Sequence, residues 1–279
     1  MKKLLSLILA LALSAFLFAG CGTKEEAAPK QDAALAPEEA TDSEYLEEKG
    51  EIIIGYTDYQ PMNYIGDDGT LVGFDTELAE AVCEKLGLTP KFVEINWDTK
   101  EVELDAKSID CIWNGFTITD ERKENLEFTK AYIQNKQVVI IRKSDADKFK
   151  STKDLSQATL VAEVSSAGEE AIADDSNLSQ ATYIPVNKQT DALLEIKSQT
   201  ADAAVLDYTL ADAMVGEGTD YSDLCMIEGL DLSVEEYGVG FRKGSDMAEK
   251  VNGIFDELVS DGTMDALAEK YGLSAIIIK

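Results

Sequence analysis

Short apolar segments alternate with amphipathic segments along the chain from residue 51 onward. Residues 52–55 (IIIG) have the composition of a buried strand. Apolar residues at helical spacing then predict a helix that Asp75 and Thr76 would cap and Gly87 would end. The same reasoning predicts further strands at 91–95, 110–113, 137–141, 159–164, 181–186, 203–206 and 237–241, further helices at 168–173, 190–198, 208–215, 247–260 and 264–270, and a hairpin turn at 67–69.

The alternation of strand and helix restarts at residue 159. Strands that alternate with helices of this length are typical of parallel sheets covered by helices on both faces. We therefore predict the α/β class, with two lobes. Ligands of such folds bind in crevices at the carboxyl ends of the strands.

The N-terminus has the layout of a secretory signal, with Lys2 and Lys3 ahead of an apolar run over residues 4–18. A membrane-spanning anchor is the alternative, but a spanning helix needs roughly 20 apolar residues. The run LFAGC resembles a lipobox in which Cys21 is lipidated, with Phe18 where Leu is usual. The sequence thus predicts a lipoprotein signal peptide over residues 1–20.

Residues 21–50 are rich in Ala, Glu and Pro and contain no β-branched aliphatic residue. A segment of this composition buries too little apolar surface to order itself. We expect a flexible acidic tether between the lipidated cysteine and a folded body that starts near Glu51. A solvated acidic leader without a tethering role is the alternative.

The composition excludes several classes of chemistry. The chain has 25 Lys and Arg against 54 Asp and Glu, a formal net charge of −29, and no histidine. The lack of histidine excludes Ser-His-Asp triads and His-ligated zinc or haem. Because the excess of acids would repel phosphates, no nucleic acid is expected as a partner. We expect neither a cofactor nor a metal.

Three further cysteines, Cys83, Cys111 and Cys225, form no CxxC pair. Buried free thiols are the favoured interpretation, and a bridge between Cys83 and Cys111 is the alternative.

A first candidate binding segment is residues 114–122 (NGFTITDER), where a strand ends, two threonines follow and a helix opens. The guanidinium of Arg122 could hold a carboxylate through two parallel hydrogen bonds. The alternative is a capped helix with Arg122 on a solvated face.

A second candidate is residues 164–169 (VSSAGE), where Ser166 and Glu169 fit a capping box directly after an apolar strand. A turn of this kind directs free backbone N–H groups forward, which favours an anion. Capping boxes are common, so the segment alone is weak evidence for a site.

A third candidate is Asp207, which follows the apolar strand at 203–206. It either caps the next helix or serves as counter-charge for an ammonium group. Tyr59 and Trp97 lie at comparable strand ends and could be core residues or the walls of a ligand slot. One arginine with backbone N–H groups for a carboxylate, and one aspartate for an ammonium group, together describe a zwitterion site.

These residues belong to runs that carry a family resemblance. The chain resembles the extracytoplasmic solute-binding proteins of polar amino-acid ABC importers, family 3, which have the type II periplasmic binding-protein fold. The resemblance implies two Rossmann-like lobes joined by a two-strand hinge. The matching runs are IIIGYTDYQPMNY, GTLVGFDTELAEAVCEKLG, SIDCIWNGFTITDERKENLEFTKAY, LVAEVSSAGEEA, ADAAVLD and YGVGFRKG with the tail NGIFDELVSDGTMDALAEKYG.

The resemblance also implies roles for single residues. Arg122 would clamp the α-carboxylate of the ligand, with help from Thr117 and the backbone at Ser166 and Ala167. The carbonyl of Gly115 and the carboxylate of Asp207 would bind the α-ammonium group, and Tyr59 and Trp97 would flank the ligand side chain. Ser165 stands where glycine is common.

The resemblance places hinge crossovers near residues 132–136 and 233–237. Lobe 1 would then comprise residues 51–132 and 237–279, and lobe 2 residues 133–236. We expect a monomer, lipid-anchored on the extracytoplasmic face of the cell membrane. It would close around a polar amino acid and deliver that ligand to the membrane subunits of an ABC permease.

Two other functions and three ligand classes remain open at this stage. An enzyme of the same fold, such as a dehydratase of small carboxylic acids, would need a pocket acid or base, for which Glu163 and Asp58 are the candidates. A ligand-sensing receptor is the third function. A basic ligand would use Asp58 or Glu163, a neutral polar one such as glutamine would use Asn114, and a cystine-like ligand is the remaining class.

Overall fold

The structure is a computed structural model, and it describes residues 40–279. The predicted signal peptide over residues 1–20, the predicted lipidation site Cys21 and most of the predicted tether lie outside the described residues.

The described residues form nine α-helices and eleven strands, close to the predicted positions. The helices are α1 (Asp42–Lys49), α2 (Phe74–Leu86), α3 (Lys100–Asp105), α4 (Asp120–Asn125), α5 (Ala167–Asp174), α6 (Gln189–Lys197), α7 (Tyr208–Met214), α8 (Met247–Ser260) and α9 (Thr263–Lys270). The strands are β1 (Glu51–Tyr56), β2 (Tyr64–Ile65), β3 (Leu71–Val72), β4 (Thr89–Glu94), β5 (Cys111–Thr117), β6 (Leu126–Phe128), β7 (Ile133–Arg142), β8 (Thr159–Glu163), β9 (Thr182–Val186), β10 (Ala203–Asp207) and β11 (Leu224–Arg242).

A single sheet runs through the body in the order β4-β1-β5-β11-β7-β10-β8-β9, with β6 paired to β11. Strand β1 is parallel to β4 and β5, and β8 is parallel to β9 and β10. The two long strands β7 and β11 are antiparallel to their neighbours and join these two groups. Strand β11 pairs with β7 as far as Tyr237, and from Tyr237 onward it pairs with β5 and β6.

The predicted α/β class is confirmed, but the prediction of purely parallel sheets is wrong. The sheet is mixed because each parallel group is completed by a segment of β7 or β11 running the other way. The predicted strands at 137–141 and 237–241 exist, but they are the segments of β7 and β11 that run antiparallel to β10 and to β5 and β6.

Two strands that are buried along their whole length place the candidate site. Every residue of strand β5 (CIWNGFT) and of strand β10 (AAVLD) is buried. Full burial is expected of central strands that helices cover on both faces. Thr117 and Asp207 are the last residues of these two strands, so both lie at carboxyl ends.

The prediction that residues 21–50 form a flexible tether is wrong for its last part, because residues 42–49 form helix α1. Thr41 and Glu44 cap the helix reciprocally, with Thr41 N donating to Glu44 Oε2 at 3.0 Å. Leu46 packs into the main core with 1% of its surface exposed, and Asp42 pairs with Arg242 at 3.1 Å. One leucine and a few polar contacts therefore order a segment whose composition alone predicts disorder.

The predicted cap of α2 is also wrong. The helix begins at Phe74, after Gly73 at φ 131°, and a Cβ at Gly73 would lie 2.1 Å from the carbonyl oxygen of Met62. Only glycine fits there. Asp75 lies inside the helix and points into the core, where its Oδ2 accepts from the backbone N–H of Gly115 at 2.6 Å.

Cys83, Cys111 and Cys225 are free thiols, and the Cys83–Cys111 bridge is absent. The prediction of buried free thiols is confirmed for Cys83 and Cys111, whereas Cys225 is only partly buried. Within residues 40–279, no helix has the length and apolar character needed to cross a membrane.

Candidate functional site

Arg122 lies in the short helix α4, where Thr119 caps the helix by accepting from the backbone N–H of Arg122 at 3.1 Å. Arg122 is only 5% exposed, and its guanidinium carbon lies 4.8 Å from the centroid of the Phe116 ring. Its Nη1 donates to the carbonyl oxygen of Thr117 at 2.8 Å. Arg122 is therefore a buried, oriented cation, and the alternative of a solvated helix face is excluded.

The turn between β8 and α5 lies against this guanidinium. Ser165 has a left-handed backbone (φ 57°), and its carbonyl oxygen accepts from Arg122 Nη2 at 3.4 Å and from Lys100 Nζ at 3.0 Å. Arg122 Nη2 also pairs with Glu170 at 3.3 Å. Two cations thus converge on one carbonyl oxygen, and Arg122 also pairs with a carboxylate, which is the type of environment that binds an anion.

The turn itself is held by a variant of the predicted capping box. Ser166 accepts from the backbone N–H of Glu169 at 3.2 Å, while the Glu169 carboxylate accepts from the backbone N–H of Ser165 at 2.7 Å. Ala167 is the first residue of helix α5. The predicted placement of Ser166 and Ala167 at a helix start next to Arg122 agrees with the structure.

Lys100 is a second buried cation that sequence reasoning missed. Burial, followed by the positive charge of Arg122, lowers the pKa of Lys100 to about 8. Its Nζ donates to the carbonyl oxygen of Trp97 at 3.2 Å and lies 4.9 Å from the centroid of the Trp97 ring. Trp97 in turn meets Phe116 edge to face at 5.5 Å and is almost wholly buried, so it supports both cations.

Asp207 lies at the end of β10 with 6% of its surface exposed. Its Oδ1 accepts from Asn135 Nδ2 and from Gln137 Nε2, both at 2.7 Å, and its Oδ2 accepts from Gln189 Nε2. The side chain does not bond the first turn of α7, so of the two predicted alternatives the helix cap is excluded.

Glu235 on β11 is a further member of the site that sequence reasoning missed. Its Oε1 accepts from Asn135 Nδ2 at 2.6 Å, from Gln137 Nε2 at 2.9 Å and from Thr117 Oγ1 at 3.2 Å. Thr117 therefore contacts both halves of the site, with its carbonyl oxygen on Arg122 and its hydroxyl on Glu235.

Glu163, at the end of β8, is 3% exposed, and its Oε1 has no hydrogen-bond partner. Burial, followed by the negative charge of Asp207, raises the pKa of Glu163 well above its usual range. Asp58 directly precedes Tyr59 in the sequence. Burial raises the pKa of Asp58, and the positive charge of Lys188, which pairs with Glu94, opposes that shift.

Tyr59 and Gly115 form a tightly packed wall. The Tyr59 hydroxyl shares a hydrogen bond of 2.6 Å with the Tyr237 hydroxyl. Gly115 has φ 57°, and a Cβ there would lie 2.7 Å from the Tyr59 ring. Behind them, burial raises the pKa of Asp75 to about 7, although the Gly115 N–H and the Tyr132 hydroxyl both bond its carboxylate.

Asn114 does not offer its amide to a ligand, contrary to the prediction. Its Oδ1 accepts from the backbone N–H and the hydroxyl of Thr57 at 3.1 and 2.8 Å. Its Nδ2 donates to the Thr57 carbonyl oxygen at 2.9 Å and to Asn63 Oδ1 at 2.8 Å. Since all four of its hydrogen-bonding positions are used within the protein, Asn114 is a scaffold residue.

A cavity of about 440 Å³ opens outside Arg122 and Lys100. It leads from the surface to the two buried cations. Its lining comprises Asp98, Lys100, Glu101, Val102, Glu121, Arg122, Asn125, Ser165, Glu169 and Glu170.

The structure thus brings together Arg122, Thr117, Ser166, Ala167 and Asp207. Tyr59, Trp97, Gly115 and Asn114 are packed in the interior, and none of the four lines the cavity. Asn135 and Gln137, whose amides bond Asp207 and Glu235, were also missed, although two amides two residues apart on one face of a strand ahead of the apolar run VVII were a signal for them.

Comparisons with known proteins agree with this architecture. A family model for bacterial extracellular solute-binding proteins, family 3, matches residues 52–274. The L-cystine-binding protein TcyJ of Escherichia coli (strain K12) is 28% identical over 81% of this chain and 84% of its own length. The arginine-binding extracellular protein ArtP of Bacillus subtilis (strain 168) is 28% identical over 80% and 86%.

A solved structure of a mutant of ArgBP from T. maritima superposes with a TM-score of 0.76 at 32% identity, over 82% of this chain and 98% of that one. This similarity confirms the predicted type II periplasmic binding-protein fold. Both curated relatives are named as binding proteins, which confirms a binding protein over the enzyme alternative. The chain belongs to the bacterial extracellular solute-binding proteins, family 3.

Proposed function

We propose that the protein is the substrate-binding component of an amino-acid ABC importer and that it holds the backbone of a free amino acid between Arg122 and Asp207. The curated relatives named for arginine and cystine support an amino-acid ligand. The observation that carries the proposal is the double contact of Thr117, whose carbonyl oxygen bonds Arg122 and whose hydroxyl bonds Glu235. Thr117 thus links the cationic end of the site, at Arg122, to its anionic end, at Glu235.

The cationic end fits an α-carboxylate. Arg122 offers a buried planar group of N–H donors, Lys100 adds a second charge, and helix α5 begins at Ala167 beside them. A ligand carboxylate would replace the Ser165 carbonyl oxygen and the Glu170 carboxylate as acceptors for Arg122. The exchange is favourable because a bidentate carboxylate forms shorter bonds than the 3.3 and 3.4 Å contacts present.

The anionic end fits an α-ammonium group and a further cationic group. Asp207, Glu235 and Glu163 meet there, whereas Arg122 and Lys100 are engaged at the other end. A zwitterion with a neutral side chain brings one positive charge, and a basic amino acid brings two. The surplus of carboxyl groups favours a basic amino acid as ligand.

A thermal-shift screen of the purified protein, stripped of ligand by unfolding and refolding, tests the proposal. A ligand at about 100 times its dissociation constant adds roughly 2.7 kcal/mol to the free energy of unfolding. We expect the largest rise in midpoint with L-arginine, L-lysine, L-histidine or L-ornithine, and smaller rises with L-glutamine and L-cystine. The absence of any rise with all twenty amino acids and L-cystine would contradict an amino-acid ligand.

We propose hinge closure between lobe 1 (51–132 and 237–279) and lobe 2 (133–236). The strand pairing supports the division, because β7 begins at Ile133 and β11 changes its pairing at Tyr237. A ligand that bonds Arg122 on one lobe and Asp207 on the other binds the closed form more tightly and so shifts the equilibrium. Small-angle scattering should show a smaller radius of gyration with ligand, and an unchanged radius would contradict closure.

We further propose a monomeric lipoprotein, cleaved after residue 20 and lipidated at Cys21, that delivers its ligand to an ABC permease on the extracytoplasmic face of the membrane. The family supports the extracellular location. The layout of residues 1–21 supports the anchor. Incorporation of labelled palmitate in the producing cell should disappear in Cys21→Ser, and persistence of the label would contradict lipidation there.

A further inference from the structure

Asp207 and Glu235 share the same two amide donors. Asn135 Nδ2 donates to Asp207 Oδ1 at 2.7 Å and to Glu235 Oε1 at 2.6 Å. Gln137 Nε2 donates to the same two oxygens at 2.7 and 2.9 Å. The two carboxyl groups are therefore held side by side by the same two amide groups.

No cation neutralises this pair. Among residues 40–279, no lysine or arginine forms an ion pair with Asp207, Glu235 or Glu163. Two adjacent carboxyl groups without a counter-ion cannot both be ionised at modest cost, so such pairs retain one proton.

Unpartnered acceptors beside the pair indicate that a donor belongs there. Gln137, 1% exposed, uses its Nε2 on the two carboxyl groups, while its buried Oε1 has no partner. Glu163 Oε1 is likewise buried without a partner, and burial, followed by the negative charge of Asp207, raises the pKa of Glu163. Since buried acceptors are costly when unbonded, a group that brings several N–H donors and a positive charge would satisfy them.

We propose that Asp207 and Glu235 share one proton in the empty site and that the ammonium group of the ligand displaces it, so that Glu235 is a second carboxylate for the ligand. The inference rests on the proposed amino-acid ligand. On binding, the O–H bond of the pair breaks and the proton passes to solvent, while the ligand nitrogen keeps its three protons. The pair changes its charge from −1 to −2 as the ligand brings +1.

The surroundings fix the direction of the pH dependence. Burial, followed by the negative charge of Asp207, raises the pKa of Glu235 to about 8. Because the proton competes with the ammonium group, affinity increases with pH up to that value and levels off above it. The titratable or charged groups that face the pair are Glu163 from β8, Tyr59 from the loop after β1, Tyr237 from β11, and Arg122 and Lys100 beyond Thr117.

Isothermal titration with L-arginine at about pH 6, 7 and 8, in pairs of buffers with different ionisation enthalpies, counts the protons released. For the wild type we expect an association constant that rises up to about tenfold per pH unit, with close to one proton released at the lowest pH. Glu235→Gln should bind L-arginine with a nearly constant affinity and release no proton. Glu236→Gln, on the exposed neighbour in the same strand, is the matched control and should keep both properties.

Binding of L-arginine by the wild type without proton release and with constant affinity would overturn the inference but leave the proposed function standing. Proton release that persists in Glu235→Gln would also overturn it, since the proton would then belong to another group. If L-arginine does not bind, the ligand proposal fails separately. Infrared difference spectra of empty wild type against Glu235→Gln at pH 7 then decide: a protonated-carboxyl band lost in the variant supports the shared proton, and its absence refutes it.

Discussion

Removal of the guanidinium of Arg122 should abolish most ligand binding. The group is buried, oriented by Thr117 and placed over the Phe116 ring, so only its long contacts to Ser165 and Glu170 must be exchanged when it meets a carboxylate. A hydrogen bond to a charged group contributes about 1.5–3 kcal/mol, so the loss of two such bonds in Arg122→Ala corresponds to about 3–6 kcal/mol. The dissociation constant should rise by roughly two to four orders of magnitude.

Arg122→Lys separates charge from geometry. A lysine keeps the positive charge but cannot make two parallel bonds to one carboxylate, nor stack as a plane on Phe116. We expect it to recover about a tenth or less of the lost affinity. Isothermal titration measures each constant, with Lys123→Ala as the control because Lys123 lies on the same helix and is exposed.

Folding must be checked alongside binding, because Arg122 also bonds the turn at Ser165. Each variant should show the circular dichroism of the wild type and unfold cooperatively. A folded Arg122→Ala that binds the amino acid within threefold of the wild type would refute the assignment of the carboxylate site.

Three further predictions concern other parts of the molecule. Leu46→Ala should lower the free energy of unfolding, measured in urea, by about 2–4 kcal/mol, because it leaves a cavity under α1. Leu194→Ala, at an exposed position, should change it by less than about 0.5 kcal/mol. Equal effects of the two substitutions would contradict an ordered α1. The pKa of Asp75 is raised to about 7, so the folded protein keeps a proton that the unfolded chain loses above about pH 4, and this contribution declines as pH rises towards 7. In denaturant titrations, the free energy of unfolding of Asp75→Asn relative to that of the wild type should therefore increase with pH across that window, by up to about 1.4 kcal/mol per pH unit. A difference between the two proteins that does not change with pH would contradict the raised pKa. Glu170→Gln should tighten ligand binding by up to about fivefold in calorimetry, because the half-exposed carboxylate that competes for Arg122 is removed. Weaker binding would contradict this competition and show that Glu170 assists ligand binding.

The sequence predicted most elements of the body because their hydrophobic periods are regular. Helix α8 was predicted at its observed bounds, and strands β8, β9 and β10 were within a residue of theirs. Helix α1 was missed because its order comes from tertiary contacts of Leu46 and Asp42, which no local pattern contains. The cap of α2 was misplaced because Asp75 satisfies a distant backbone N–H rather than its own helix.

The candidate site was predictable where function requires a charged side chain at the end of a strand or start of a helix, as at Arg122 and Asp207. It was not predictable where the charge comes from residues far apart in sequence. Lys100 on α3 and Glu235 on β11 reach the two ends of the site only because the tertiary fold brings them to Ser165 and Thr117, respectively. Conversely, Asn114 has a suitable chemistry and position, but its neighbours Thr57 and Asn63 use its whole amide.

The central claim is that the site binds both charged groups of an amino-acid backbone, and truncated ligands test it most directly. Isothermal titration should compare L-arginine with agmatine, which lacks the α-carboxylate, and with 5-guanidinovalerate, which lacks the α-ammonium group. If Arg122 and Asp207 hold the two ends, each truncated compound should bind at least about a hundredfold more weakly than L-arginine. Binding of either compound as tightly as L-arginine would contradict the account.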